Sequence, residues 1–560
     1  MKQTLLSLIM LASATLANSQ NTSPVIGWGN IDTRYPQKKT IQTPLPKTIA
    51  LEAWRGEKVS AQLVISSLAD IGNVTVEVSD LTSGSKVIPA SCVTKAFVGY
   101  VMTDELNKGG GSNCGYRIST DFDSTLVADI IDHLALSKPV AANTSQPVWL
   151  SLKVPADTKA GTYRGTVKVA DGDKTLASLS MKVKVIDRVL PEPSDWHYHL
   201  DLWQNPYAEA RVYGVPLWSE EHFRLMKPDM ELYAKAGGKV ITTTIINRPW
   251  DGQTEDAFDN MITCIKRLNG SWSYDYAVFD RWVEFMMSVG VTGQIHCFSM
   301  VPWRMSFEYF DQATNRMQKV SCKATDQAYS DFWLPLLKSF ANHLKDKGWF
   351  EKTYIAMDER PRESMQAAYN IIRASDPNWK IALAGSYYPE QSEWLNDYCI
   401  TINEDFEEDQ LLQRKHEGKT STFYTCCTES HPNTFTFSDP AESEWISWFS
   451  AKKGLDGYLR WAFNSWTKDP LADSRFRAWP AGDCYLIYPH GRTSIRLERF
   501  VDGVQSFEKI RILRDEFECR NNRSGLKALD AILREFDLEK VQTESPALLI
   551  QRSRKKLNTL

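Results

Sequence analysis

The ten cysteines of this 560-residue chain never fall in a C-x-x-C spacing, which removes the usual zinc-binding and dithiol patterns. Beyond the amino terminus no run approaches the roughly 20 apolar residues that a membrane-spanning helix needs, so no transmembrane segment is expected. Basic residues do not dominate: the formal net charge is −4, and apart from the tail at 552–556 the lysines and arginines are interspersed with acids. A polyanion would need them dense on one face, so a nucleic-acid partner is not expected. No G-x-G-x-x-G or G-x-x-x-x-G-K-[ST] follows an apolar strand-like run, and neither a nucleotide cofactor nor a metal is anticipated. Internal repeats and low-complexity tracts are also lacking.

What the chain does carry begins with Met1-Lys2, an apolar stretch over 5–16 and small residues near Ala17 and Ser19. This is the layout of a secretory signal peptide, assigned here to 1–19, and it predicts an exported, periplasmic or secreted protein. Disulfides are allowed there; Cys92 with Cys114 is the pairing to test first, while Cys297, Cys399 and Cys426 read as buried small hydrophobes. The length exceeds what one core organises, so more than one domain is expected. Aromatics are abundant, with 19 Trp, 21 Tyr and 23 Phe, and many tryptophans sit beside Gly, Pro, Asn or Asp. Indole and phenol rings in loops suit the flat C–H faces of sugars; large core side chains are the alternative.

Residues 24–190 read as short alternating runs (48–52, 59–66, 74–78, 148–154, 163–169 and 179–186) with turn signals between them, which predicts an antiparallel β-sandwich. Pro191-Glu192-Pro193 marks a boundary. Over 191–490, eight short apolar strands (196–203, 240–246, 293–299, 354–357, 381–386, 398–402, 422–426 and 457–463) alternate with amphipathic helix-length segments. That pattern predicts a (β/α)8 barrel, with catalytic residues at the carboxyl ends of its strands; an open doubly wound sheet is the competing topology. A hairpin turning at Asn269-Gly270 is inserted after the second strand. A further strand is expected over 484–488, and residues 491–560 read as a helical extension packed on the barrel.

The fourth barrel strand ends in Met357-Asp358-Glu359-Arg360-Pro361. Consecutive strand residues face opposite ways, so two neighbouring acids can address one ligand only where the strand gives way to a loop. Glycosidic cleavage needs a proton donor and a group that stabilises positive charge at the anomeric carbon. Side-by-side acids suit substrate-assisted hydrolysis, in which a 2-acetamido oxygen is the nucleophile, one acid orients that amide and the other protonates the leaving oxygen. The same pair could instead bind Arg360 or cap the next helix. Other strand ends offer sugar ligands: Gln204 and Asn205 after the first, Arg248 after the second, His296 in the third, Tyr387 ending the fifth, Tyr424 at the seventh, and Trp461, Asn464 and Trp466 after the eighth. His296 is equally readable as a core histidine, and Asp483, Arg496 and Glu498 as charges tying the last helix to the barrel.

These segments together with Tyr458-Leu-Arg-Trp461-Ala-Phe-Asn464-Ser-Trp466, Gly482-Asp483-Cys-Tyr-Leu-Ile-Tyr488-Pro489 and Ser494-Ile-Arg496-Leu-Glu498-Arg499 resemble glycoside hydrolase family 123 over nearly all of the mature chain. The resemblance implies an exo-acting, retaining β-N-acetylgalactosaminidase, with Glu359 as general acid and later base and Asp358 holding the acetamido N–H. It implies terminal β-linked N-acetylgalactosamine of glycosphingolipids or other glycoconjugates as substrate, and an enclosed setting for Glu359. It also places a histidine where this chain has Asn205. Two rivals stand beside it: a retaining exo-glycosidase pairing Glu359 with a separated carboxylate such as Glu404, and a glycan-binding protein without catalysis.

Overall fold

The computed structural model describes residues 23–104, 114 and 125–560, so the signal-peptide assignment at 1–19 lies outside the described residues. Two layers of β-sheet come first. One sheet runs Val25–Trp28, Lys58–Ser67, Thr144–Lys153, Val93–Thr103, Thr125–Asp132 in spatial order; the other is built on Thr48–Arg55, Lys174–Val189, Gly161–Asp171 and Ile71–Val78. Alternation drives the pairing: in Lys174–Val189, Leu179, Met181, Val183 and Val185 point inward while Ser180, Lys182 and Lys184 face solvent. The pairs are antiparallel except Thr48–Arg55 against Lys174–Val189, which is parallel.

The eight barrel strands are His199–Leu202, Val240–Thr244, Gln294–Phe298, Thr353–Met357, Lys380–Ala384, Asp397–Thr401, Thr420–Tyr424 and Gly457–Arg460, here strands 1 to 8. They form one parallel sheet, with strand 1 hydrogen-bonded to strand 8 and strand 2 to strand 3. Strands 1 and 2 meet only at an isolated bridge, Leu200 with Gly238. There the Gln204 side chain substitutes for the missing ladder: its amide donates to the carbonyls of Leu202 and Val240 and its Oε1 accepts from Thr242 N at 2.9 Å. The expected hairpin forms between Thr263–Lys266 and Trp272–Asp275, turning through Gly270 at φ 81°. It joins a second hairpin, Ser306–Asp311 with Arg316–Ser321, in a four-stranded accessory sheet beside the barrel mouth.

Residues 484–488 are not a strand. They are fully buried and make only isolated bridges, Tyr485 with Asn464 and Tyr488 with Arg492, because an apolar run reports burial whether or not a ladder is present. Thr493–Ser494 instead adds an edge to the sandwich, against Thr125–Asp132, and leads into the helix Ile495–Cys519. The charges of this helix tie it to the sandwich as well as to the barrel. Arg496 bonds Asp129 and the carbonyls of Thr434, Gly482 and Tyr485, and Glu498 accepts from Lys58. Arg499 is 1% exposed and meets Asp32 of the sandwich at 2.9 Å, Glu444 at 2.7 Å and Asp502.

The disulfide joins Cys114 to Cys427, not to Cys92, which is a free thiol. Cys297 and Cys399 are buried as expected, whereas Cys426 is partly exposed. No described helix is long and apolar enough to cross a membrane.

Removing one member of a buried ion network leaves its partners uncompensated at a cost of about 3–5 kcal/mol. Arg499→Met is expected to lose stability on that scale, read by chemical denaturation; a loss below about 1 kcal/mol would show that this network does not hold the two layers together.

Candidate active site

Strand 4 is buried from Thr353 to Met357 and releases its two acids at the mouth. They part there. Asp358 is 8% exposed, and its Oδ2 accepts from the Trp303 indole N–H at 3.1 Å. Its Oδ1 has no hydrogen-bond partner and lies 3.4 Å from Arg360 Nε. Burial is the largest influence on this carboxyl and raises its pKa above the ordinary value; Arg360 and the Trp303 bond oppose the rise and Glu359 adds to it. Arg360 is itself held over the Trp303 ring, 5.2 Å from its centroid.

Glu359 points the other way and is exposed, so the protein alone does not supply the enclosure expected for it. The Tyr424 hydroxyl, from the end of strand 7, donates to its Oε1. Burial, and then the charge of Glu359, raise the pKa of this phenol, so Tyr424 stays a donor. The end of strand 5 abuts the same side chain: a Cβ on Gly385 would lie 3.7 Å from Glu359 Cγ. The result is one contact chain across the mouth, Trp303 to Asp358, then Glu359 to Tyr424.

Trp461 leaves strand 8 partly exposed, its indole N–H bonded to Asp483 Oδ1 at 3.0 Å. That carboxylate is fixed by Arg460 at 2.6 Å in a fully buried pair. Gly482, just before it, adopts φ 83°, and a Cβ there would come within 2.7 Å of Thr436 N, so only glycine lets Asp483 turn into this position. Asp483 therefore aims an aromatic ring in addition to its structural role. Trp479 packs edge-on to Trp461 with centroids 5.8 Å apart.

Other expected sugar ligands are placed elsewhere. Gln204 is the closure of strands 1 and 2 described above. Asn205 is fully buried and caps the helix Pro206–Tyr213 through Tyr207 N and Ala208 N. The Asn464 amide is spent on Asn205 N at 2.7 Å and on Glu209 at 2.5 Å. Trp466 is 0% exposed and donates to Ile487 O, a core residue. The Tyr387 hydroxyl is bonded to Gln410, and its ring packs on Tyr398 and Phe406.

His296 pairs in register with Tyr354, four residues before Asp358, which at strand rise is about 13 Å below the acids. It bonds Gln294 and lies 3.6 Å from Asp201 and 3.8 Å from Asp397 inside the barrel. Burial pushes its pKa down to about 4, so it is neutral at pH 7. Arg248 is exposed on the loop after strand 2, lining a neighbouring cleft. Trp303 was missed as an individual residue, although Pro302-Trp303-Arg304 after strand 3 meets the same criterion of a loop tryptophan. No described group of three or more His, Cys, Asp or Glu side chains is arranged to hold a metal.

The family model for the glycoside hydrolase 123 catalytic domain matches residues 203–513, and that for the glycoside hydrolase 123 N-terminal domain matches 28–171. The chain belongs to glycoside hydrolase family 123. Its fold is similar to that of a family 123 glycoside hydrolase from Clostridium perfringens, described for glycolipid glycan hydrolysis, at 25% identity and a TM-score of 0.85, covering 96% of this chain and 97% of that one. A family 39 glycoside hydrolase from Bacteroides cellulosilyticus WH2 (10% identity, TM-score 0.32, covering 85% of this chain and 83% of that one) is too distant to inform the site. So is a xyloglucanase from Bacteroides ovatus (11% identity, TM-score 0.30, covering 82% and 98%). A comparison with curated proteins finds no match.

The raised carboxyl of Asp358 makes this glycoside hydrolase less stable when that group ionises. In the unfolded chain it titrates near pH 4, so the penalty is absent below about that pH and grows as pH rises towards the folded value. Asp358→Asn is expected to raise the melting temperature at pH 7, with the gain shrinking towards pH 4. An equal or larger gain at pH 4 would contradict it.

Proposed function

We propose that this family 123 enzyme removes terminal β-linked N-acetylgalactosamine from glycans with retention of configuration, using the substrate's own 2-acetamido group as nucleophile. The observation that carries this reading is the division of labour between adjacent acids. Asp358 is buried, its Oδ2 is positioned by Trp303, and its Oδ1, which lies 3.4 Å from Arg360 Nε, carries no hydrogen bond, so an amide N–H of the substrate can donate to it. Its negative charge then favours the positive oxazolinium-like ring that forms when the acetamido oxygen attacks C1. Glu359, exposed and held by Tyr424, is free to reach the leaving oxygen, donate its proton and later take one from water. Trp461 supplies the aromatic floor on which the sugar ring packs.

The rival with two separated carboxylates finds little support, because Glu404 Oε2 is already occupied by Tyr387 N and Thr401 Oγ1, both at 3.1 Å. The glycolipid glycan hydrolysis described for the Clostridium perfringens relative makes a glycosphingolipid oligosaccharide the first natural substrate to try. Export to the periplasm or medium is part of this proposal, and the disulfide between Cys114 and Cys427 suits an oxidising compartment.

Turnover of an aryl N-acetyl-β-galactosaminide tests it. Glu359→Gln and Asp358→Asn should each lower kcat by about 10²–10⁴-fold, the range for a lost acid or a lost preorganised charge. The matching aryl β-galactoside, which has no acetamido group, should not be cleaved. Cleavage of that galactoside would end the neighbouring-group mechanism, and undiminished turnover by Glu359→Gln would end the acid assignment; a protein that turns over neither substrate supports the glycan-binding rival.

A further inference from the structure

Beside the catalytic wall lies a cleft of about 690 Å³ whose lining includes Asn247, Arg248 and Asp251 from the loop after strand 2, Arg304, and Glu308 and Lys319 from the accessory hairpin. That volume falls within the range of sites that hold small ligands. The cleft begins one residue after Trp303, whose indole holds Asp358 on one side and which is 42% exposed. Its two walls are tied together, since Trp303 N donates to Pro249 O at 2.9 Å.

The charges in the cleft are mixed. Arg304 and Asp251 form an ion pair at 2.9 Å. Glu308 and Lys319 stand opposite each other on the paired strands, and among the described residues the side chains of Arg248, Glu308 and Lys319 make no ion pair closer than 4.0 Å. Interleaved donors and acceptors with nearly balanced charge do not suit a ligand of one sign. They suit neighbouring hydroxyls, each of which donates one hydrogen bond and accepts others. The loop is also strained towards this surface: Arg248 and Asp251 adopt φ 48° and 50°, conformations that non-glycine residues hold only when their surroundings impose them.

We propose that this cleft is a second sugar subsite, which binds an uncharged pyranose of the same glycan beyond the one cleaved. The inference rests on the function proposed above, which puts the cleaved sugar at the chain end; the sugar bound here is then on the leaving-group side. Oligosaccharides are held at two places and aryl glycosides at one.

The test is the ratio of kcat/KM for a neutral trisaccharide ending in β-linked N-acetylgalactosamine to kcat/KM for the aryl N-acetyl-β-galactosaminide. In Arg248→Ala, and independently in the double variant Glu308→Ala with Lys319→Ala, this ratio should fall about 10- to 100-fold through KM, the size of one or two lost hydrogen bonds to charged groups. Thermal melts show whether each variant is folded, and the double variant stands in for Arg248→Ala if the strained loop does not tolerate the change. An unchanged ratio in folded variants overturns the subsite while leaving the catalytic reading intact. Failure of the native enzyme to cleave either substrate overturns both.

Discussion

The site depends on one constraint: a buried parallel strand has to end with two consecutive carboxylates on opposite walls of a single opening. Inside the strand the two side chains would be separated by the sheet itself. At the mouth, where backbone pairing stops, Asp358 turns under Trp303 while Glu359 turns towards strand 7 and Tyr424. The two acids thus acquire different surroundings from adjacent positions. Burial without full hydrogen bonding makes one a costly, fixed acceptor; the other stays exposed to solvent with Tyr424 as its partner.

The rest of the molecule can be understood as support for that opening. The barrel is closed between strands 1 and 2 by a side chain instead of a ladder, and Gln204 does this at the level where the mouth begins. Arg460 and Asp483 form a buried pair whose remaining function is to orient the Trp461 indole. The long helix Ile495–Cys519 carries Arg496 and Arg499 into acids of the sandwich and of the barrel at once. The sandwich is therefore anchored by desolvated charges, whose separation would leave several uncompensated groups, and not by apolar contact alone.

Much of this was legible in the chain. All eight barrel strands were visible because parallel strands covered on both faces read as short apolar runs, and the Asn269-Gly270 hairpin because its turn needs a positive φ. The Asp358-Glu359 pair was visible by its place at a strand end. Residues 484–488 misled because burial without a ladder leaves the same apolar pattern as a strand. Asn205, Asn464 and Trp466 misled for a related reason: strand ends are where ligands bind, but also where helices need caps and the barrel needs its polar seams closed. The same amide serves either purpose, and composition does not distinguish them.

By itself, then, the sequence determined the order of sandwich, barrel and helical extension, the strand that carries the acids, and through its motifs the family. Local periodicity and residue type suffice for these, since each is written in a few consecutive positions. Only the tertiary structure decided which polar strand-end residues face the opening, that Cys114 meets Cys427 across 313 residues, and that Trp303 sits against Asp358. These depend on contacts between segments far apart in the chain, whose geometry is set by the closure of the barrel and not by any one segment.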